Sequence, residues 1–276
     1  MVERKSVRYW LFALALLLTV FYLFPLVLVG MNSLKTTGEF TTNPFSLPTR
    51  LVTENYPQAF NQMHFLTSLC NTLILTVTIC FLVAILGSMA AYVVSRVKSR
   101  FVSFFYYLMI ASMCAPFQAF MIPLVKLYAA KLGFTNSLLP VIYIATGLNM
   151  AFATFLVRGF LNSIPLEIDQ AAMIDGCNKY TIFTRIILPL LGPSIITTIV
   201  ISFYWIWDDY MGPLLYLSKP ALKTVSLAIK GFADSQGTNF GPMFAMSTLS
   251  LIPVFALFLF FNRYLMDGVT AGSIKG

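Results

Sequence analysis

Two places in the 276-residue sequence gather side chains that could do chemistry. The first is Asp208-Asp209, adjacent carboxylates near the end of an apolar stretch and just before Gly212-Pro213. An ionised Asp at the centre of a bilayer costs about 2.5–3.5 kcal/mol on insertion scales, so such a pair belongs near an interface, a watery pathway or a broken helix end. The second is the run from Arg158 to Pro193, where Glu167, Asp169, Gln170 and Asp175 stand among small and short apolar residues. Neither has the make-up of a catalytic centre. The single histidine, His64, has no cysteine partner, and the four cysteines show no C-x-x-C spacing. No G-x-x-x-x-G-K-[ST] phosphate loop, HExxH or GxSxG occurs. The expectation is therefore no catalytic residue, no metal and no cofactor in this chain, with any driving energy supplied from outside it.

The elements that must position these groups are membrane helices. The chain is 58% hydrophobic and 10% charged, against about 25% charged residues in a soluble domain. A surface so short of polar groups needs a lipid bilayer as its solvent. The net charge of +8 is scattered through short loops, with no basic stripe. It reads as a topology signal rather than a nucleic-acid surface, because Lys and Arg hold loops on the cytoplasmic side. Spanning a bilayer takes about 20 apolar residues, and six such stretches are read, at about 10–31, 67–94, 101–124, 138–157, 193–217 and 242–264. The first is too long for a cleaved signal segment and lacks an A-x-A site, so it reads as a retained anchor. Loop charges, with the Ser-Arg-Val-Lys-Ser-Arg turn at 95–100 as their strongest element, place both termini in the cytoplasm. Segments 32–66 and 218–241 then lie outside, the former expected to be irregular because of Pro44, Pro48 and Pro57. Segment 158–192 lies inside.

The inner segment has the signals of a helix-turn-helix. Ser163 and Pro165 mark a start, Glu167 and Asp169 put negative charge on the first turn, and Gly176 offers a left-handed stop about three turns later. Asn178 caps a second helix carrying Tyr180, Phe183, Ile186 and Ile187. The small residues Ala171 and Ala172 allow close entry into a groove of a partner protein. The alternative, a helix lying on lipid headgroups, favours a basic polar face. This one is acidic, which anionic lipid repels. Within the spans, Asn149, Asp208, Asp209 and Ser247 are candidates to line a pathway for a hydrogen-bonding solute, Asp208 foremost. Polar groups in hydrocarbon must face other helices or a watery cavity. Ser and Thr in membrane helices also serve simply as packing residues.

The run Gln170-Ala171-Ala172-Met173-Ile174-Asp175-Gly176, followed by Phe183, Ile186, Leu188-Pro189 and Pro193, resembles the EAA loop of ABC-importer permeases. Phe155-Leu156-Val157-Arg158-Gly159-Phe160, Trp207-Asp208-Asp209-Tyr210, Asn32-Ser33-Leu34-Lys35 and the tail from Gly268 to Gly276 resemble stretches of the maltose-type carbohydrate permeases, in the same order. Gln170 stands where that family has Glu, and Asp208 where it has Asn. The resemblance implies an all-α polytopic membrane protein, one permease domain over 1–276, of the second and smaller type. It implies docking of an ATPase subunit through Glu167, Gln170, Ala171, Ala172, Asp175, Gly176 and Phe183. The implied partners are a second permease, two ATPase subunits that bind ATP and Mg, an extracytoplasmic solute-binding protein and a sugar. A permease for a polyamine, phosphate or amino acid, or an ion-coupled secondary transporter, remains open at this point.

Overall fold

A computed structural model describes residues 5–236 and 239–273, and the side-chain surroundings of 7–233 and 239–260. Arg4, Gly237 and Lys275, the environments of Asp234, Arg263 and Tyr264, and those of the Gly268–Gly276 tail lie outside the described residues. Among the described residues all regular structure is helical. The helices, in chain order, are α1 Lys5–Asn32, α2 Thr37–Thr42, α3 Asn55–Gln62, α4 Phe65–Arg96, α5 Arg100–Ser112, α6 Phe117–Leu124, α7 Leu138–Leu161 and α8 Leu166–Ile174. There follow α9 Lys179–Leu190, α10 Gly192–Trp207, α11 Met211–Tyr216, α12 Val225–Gln236 and α13 Phe240–Ser273. The chain divides into two compact units, one of Met1–Ser68 and Leu227–Pro253, the other of Leu69–Ser226 and Val254–Gly276.

Four helices, Val7–Asn32, Phe65–Arg96, Leu138–Leu161 and Phe240–Phe260, are individually long and apolar enough to cross a membrane. Two bent pairs pass the same test only when each is taken together, Arg100–Ser112 with Phe117–Lys131, at 103°, and Lys179–Leu190 with Gly192–Trp207, at 73°, so the helices that could cross number four, or up to six if each pair is one span. The stretch 101–124 expected as one span is therefore two helices at a sharp angle, the geometry of a broken span or a re-entrant loop. Pro116 has no N–H for the helix ladder and disfavours helical geometry at Ala115, so α5 stops at Ser112 and α6 restarts at Phe117. The expected span 193–217 resolves into α10 and the short α11, separated at Asp208–Tyr210. Two buried hydroxyls in these helices bond back to the preceding turn, Thr198 to the Ser194 carbonyl at 2.8 Å and Ser88 to that of Ala84 at 2.6 Å. That satisfies them where no water is at hand.

In the first unit, segment 32–66 is more ordered than its prolines suggest. Thr36 and Glu39 form a reciprocal capping box that starts α2. Pro57 falls in the first turn of α3, where its missing N–H costs nothing. Lys35 is fully buried and donates to the carbonyls of Asn43 and Pro44, each at 3.2 Å. Asn55 donates to the carbonyls of Ser33 and Lys35 at 2.8 and 2.9 Å. Gly241 lies so close to Asn55 that a Cβ there would come within 2.5 Å of its amide. Phe40 packs on Phe240 and Phe244, both with ring centroids at 4.9 Å.

In the second unit α7 is the central helix, with Ala151, Ala153, Thr154, Val157 and Leu161 among its buried residues. A Cβ at Gly87 of α4 would stand 2.6 Å from the Cβ of Ala153, so the two helices touch nearly backbone to backbone there. Beyond that crossing a cluster of Ala91, Val157, Leu161, Ala172, Ile182, Ile187 and Leu191 closes the core beneath the loop 158–192. Full burial of such an aliphatic side chain away from water contributes about 1.5–3 kcal/mol.

Candidate coupling loop and translocation cleft

Local signals build the loop. Pro165 is extended at ψ 141° and leads into α8, with Glu167 and Asp169 on its first turn. Gly176 ends the helix at φ +83°. Cys177 N–H donates to the Ala172 carbonyl at 3.0 Å and Gly176 N–H to that of Met173 at 3.1 Å. This is the two-bond Schellman arrangement, which needs a residue comfortable in the left-handed region. Asn178 then accepts from the Thr181 N–H at 2.8 Å and caps α9.

The sequence-derived docking residues divide between two faces. Glu167, Gln170, Ala171, Asp175 and Gly176 are exposed, beside two apolar side chains left in the open, Ile174 at 86% and Tyr180 at 75% exposure. Ala172 and Phe183, at 6% and 8% exposure, point into the chain's own core. They hold the loop up rather than present it.

What fastens the loop was not legible as a motif. Asp169 is buried, and its Oδ2 lies 3.0 Å from an Arg96 guanidinium nitrogen. The Tyr92 hydroxyl donates to Asp169 Oδ1 at 2.9 Å, and Arg96 donates to the Ile164 carbonyl at 3.2 Å. The Tyr92 ring packs on Phe183 with centroids 5.2 Å apart. One turn of α4 thus grips both α8 and α9. A buried ion pair adds little net stability over an apolar contact of the same shape, but removing one partner costs about 3–5 kcal/mol.

The second feature of this unit is a cleft of about 1370 Å³ along α5, α6, α7, α10 and α11. Asn149 and Asp209 are on its wall, with Gln118, Tyr128, Tyr143 and Trp205. Asp209 Oδ1 accepts from the Gly212 N–H at 3.1 Å, so the same carboxylate tethers the start of α11. Asp208 is exposed at the end of α10 and does not line the cleft. Ser247 is on α13 in the first unit, its hydroxyl bonded to the Met243 carbonyl at 2.9 Å. The wall is mostly aromatic and apolar, with the amides of Gln118 and Asn149 and the carboxylate of Asp209 among its polar groups. No group of three His, Cys, Asp or Glu fit to hold a metal occurs among the described residues.

Apolar helices, some broken by proline, a wide cleft between them and an exposed helix-turn-helix pinned at its root define a polytopic transport subunit. Residues 83–270 match the family model of the binding-protein-dependent transport system inner membrane component, and the chain belongs to that family. It is 35% identical over 268 residues to a probable starch degradation products transport system permease, AmyC, of Thermoanaerobacterium thermosulfurigenes, covering 97% of both chains. It is 30% identical to the melibiose/raffinose/stachyose import permease MelC of Bacillus subtilis, covering 95% of both. Its fold is shared with a chain of a bacterial ABC transporter that imports alginate, at TM-score 0.75 and 22% identity over 96% of this chain and 99% of that one. The protein is therefore a membrane permease subunit of an ABC importer, without a cofactor of its own, and not an enzyme; ATP hydrolysis belongs to a separate subunit.

Proposed function

We propose that this chain is the second of two permease subunits in an importer for a sugar or oligosaccharide, forming half of the translocation pathway as one membrane domain. A solute-binding protein delivers the sugar to segments 32–66 and 218–241 outside. Two ATPase subunits, which bind ATP and Mg, dock inside, one on each permease. The termini are cytoplasmic, and this chain receives its ATPase through Glu167, Gln170, Ala171, Asp175 and Gly176, with Ala172 and Phe183 supporting them from behind. Gln170 keeps the size and hydrogen bonding of the family's Glu but forms no salt bridge. Asn149 and Asp209 line the path, while Asp208 and Ser247 are candidates outside the cleft wall.

The sugar class is carried by end-to-end similarity to permeases named for starch products and for melibiose, raffinose and stachyose. The aromatic and amide wall of the cleft suits such a cargo, since rings stack on sugar faces and amides bond hydroxyls. The test is uptake by the complex purified from its own membrane and rebuilt in vesicles, with labelled maltotriose and raffinose as probes. Uptake of either that needs both ATP and the binding protein supports the reading. ATP-driven uptake confined to a polyamine, phosphate or an amino acid overturns the sugar. Uptake driven by an ion gradient overturns the importer mechanism.

A further inference from the structure

Arg96, the cationic half of the ion pair at the root of the loop, lies on the same helix as part of the cleft wall. We propose that Tyr92, Arg96 and Asp169 form the joint that passes movement of the loop 158–192 to α4, and through α4 to the cleft. This rests on the docking role of that loop. Tyr92 and Arg96 are four residues apart and so share one face of α4. Tyr92 touches both loop helices, its hydroxyl on Asp169 of α8 and its ring on Phe183 of α9. Arg96 holds Asp169 and the Ile164 carbonyl that precedes α8. The loop cannot shift against the end of α4 without breaking these contacts.

Leu82 and Leu86 of the same unbroken helix line the cleft. At 1.5 Å per residue, Leu86 is about 9 Å along the axis from Tyr92 and Leu82 about 21 Å from Arg96. Gly87, packed against Ala153, lies between the two ends and gives the helix a point to turn about. Apolar contacts slide over one another at little cost, whereas a buried charge can only move with its partner. That is why an ion pair, and not another leucine, suits a connection that must pull as well as push. Tyr92, Arg96 and Asp169 are positioning residues and have no contact with the solute.

The test uses the whole importer in lipid nanodiscs, with native cysteines replaced and spin labels on Phe81→Cys of α4 and Phe155→Cys of α7. The distance between labels is measured before and after trapping with ATP and vanadate. Asp169→Asn and Tyr92→Phe keep side-chain shape. They should retain bound, hydrolysing ATPase, yet the shifted population should fall by about five-fold or more, the lower range for coupling between sites. Asp169→Glu and Arg96→Lys, which keep the charges, should retain the shift. If the neutral variants shift like the parent, the joint is overturned. It is equally overturned if they lose the ATPase altogether, for then the contacts are only a staple. A parent chain that captures no ATPase overturns the docking reading and the joint together.

Discussion

Replacing Gly176 would separate the folding of the loop 158–192 from its proposed use in docking. The residue sits at φ +83°, and a Cβ built there meets no atom within 4 Å. The penalty of a side chain is therefore backbone strain and not collision. The left-handed region costs an L-residue about 1–2 kcal/mol, and more when it is β-branched. Two responses are open to the loop. It can keep its shape and hold the strain, or release Cys177 and Gly176 from the Ala172 and Met173 carbonyls and swing α9 away from α8. The fold survives either way, because Asp169 and Ala172 remain anchored in the core. Strain held in the first case is common to the free and docked states and cancels from the affinity, so the cost to docking comes from the second, where the loop must be drawn back into shape. A strain of about 1–2 kcal/mol restored on docking lowers ATPase affinity by about 5- to 30-fold. The assay titrates labelled ATPase subunit onto the permease pair in nanodiscs. Affinity should fall in the order Gly, Asn, Ala, Val, since Asn enters the left-handed region more readily than other side chains. Equal affinity for Gly176→Ala and Gly176→Val with the parent, or an Asn variant as poor as Val, would refute the reasoning.

Three further outcomes are expected. Ile174→Ser and Tyr180→Ser touch only exposed side chains, so melting should change by no more than about 0.5 kcal/mol. The same variants should weaken ATPase binding by more than about 1 kcal/mol, as buried apolar anchors of an interface do; parental affinity in the titration would count against that face. Asn55→Leu removes both bonds donated to the Ser33 and Lys35 carbonyls. At about 1–3 kcal/mol for each buried group left unpaired, it should lower the melting temperature clearly in scanning fluorimetry, and a parental melt would contradict the network. Glu39 is held below its ordinary carboxylate value first by the Thr49 hydroxyl and then by the Thr36 and Thr49 N–H groups. A lowered value in the folded state means its contribution is present above the ordinary carboxylate range and is lost as pH falls through the lowered one. Proteolysis within 36–49 should quicken on acidification, while Glu39→Gln should be fast and flat with pH; identical profiles would remove Glu39 from the account.

What could be read from the sequence was what short-range chemistry encodes. Asn178, Gly176 and the acids of α8 act within a few residues of themselves, so the loop's caps stand where their spacing implied. Apolar content alone marked the four helices long and apolar enough to cross a membrane, but not the 103° turn between α5 and α6, for Pro116 announces a break and says nothing of its angle. Lys35 looked like one more outer loop charge, and its burial depends on two backbone carbonyls that no residue type advertises. Asp208 and Asp209 are indistinguishable by composition. Only the end of α10 at Trp207 decides that Asp209 turns back to Gly212 on the cleft wall while Asp208 faces outward. The joint was furthest from view, because Arg96 and Asp169 are 73 positions apart and each has an ordinary local excuse, a loop cation and a first-turn acid. A coupling device must join distant elements, whereas sequence patterns report on neighbours. In a transporter, therefore, the residues that relay motion are the ones a linear reading is least equipped to find, and long-range buried ion pairs such as this one are where to look for them.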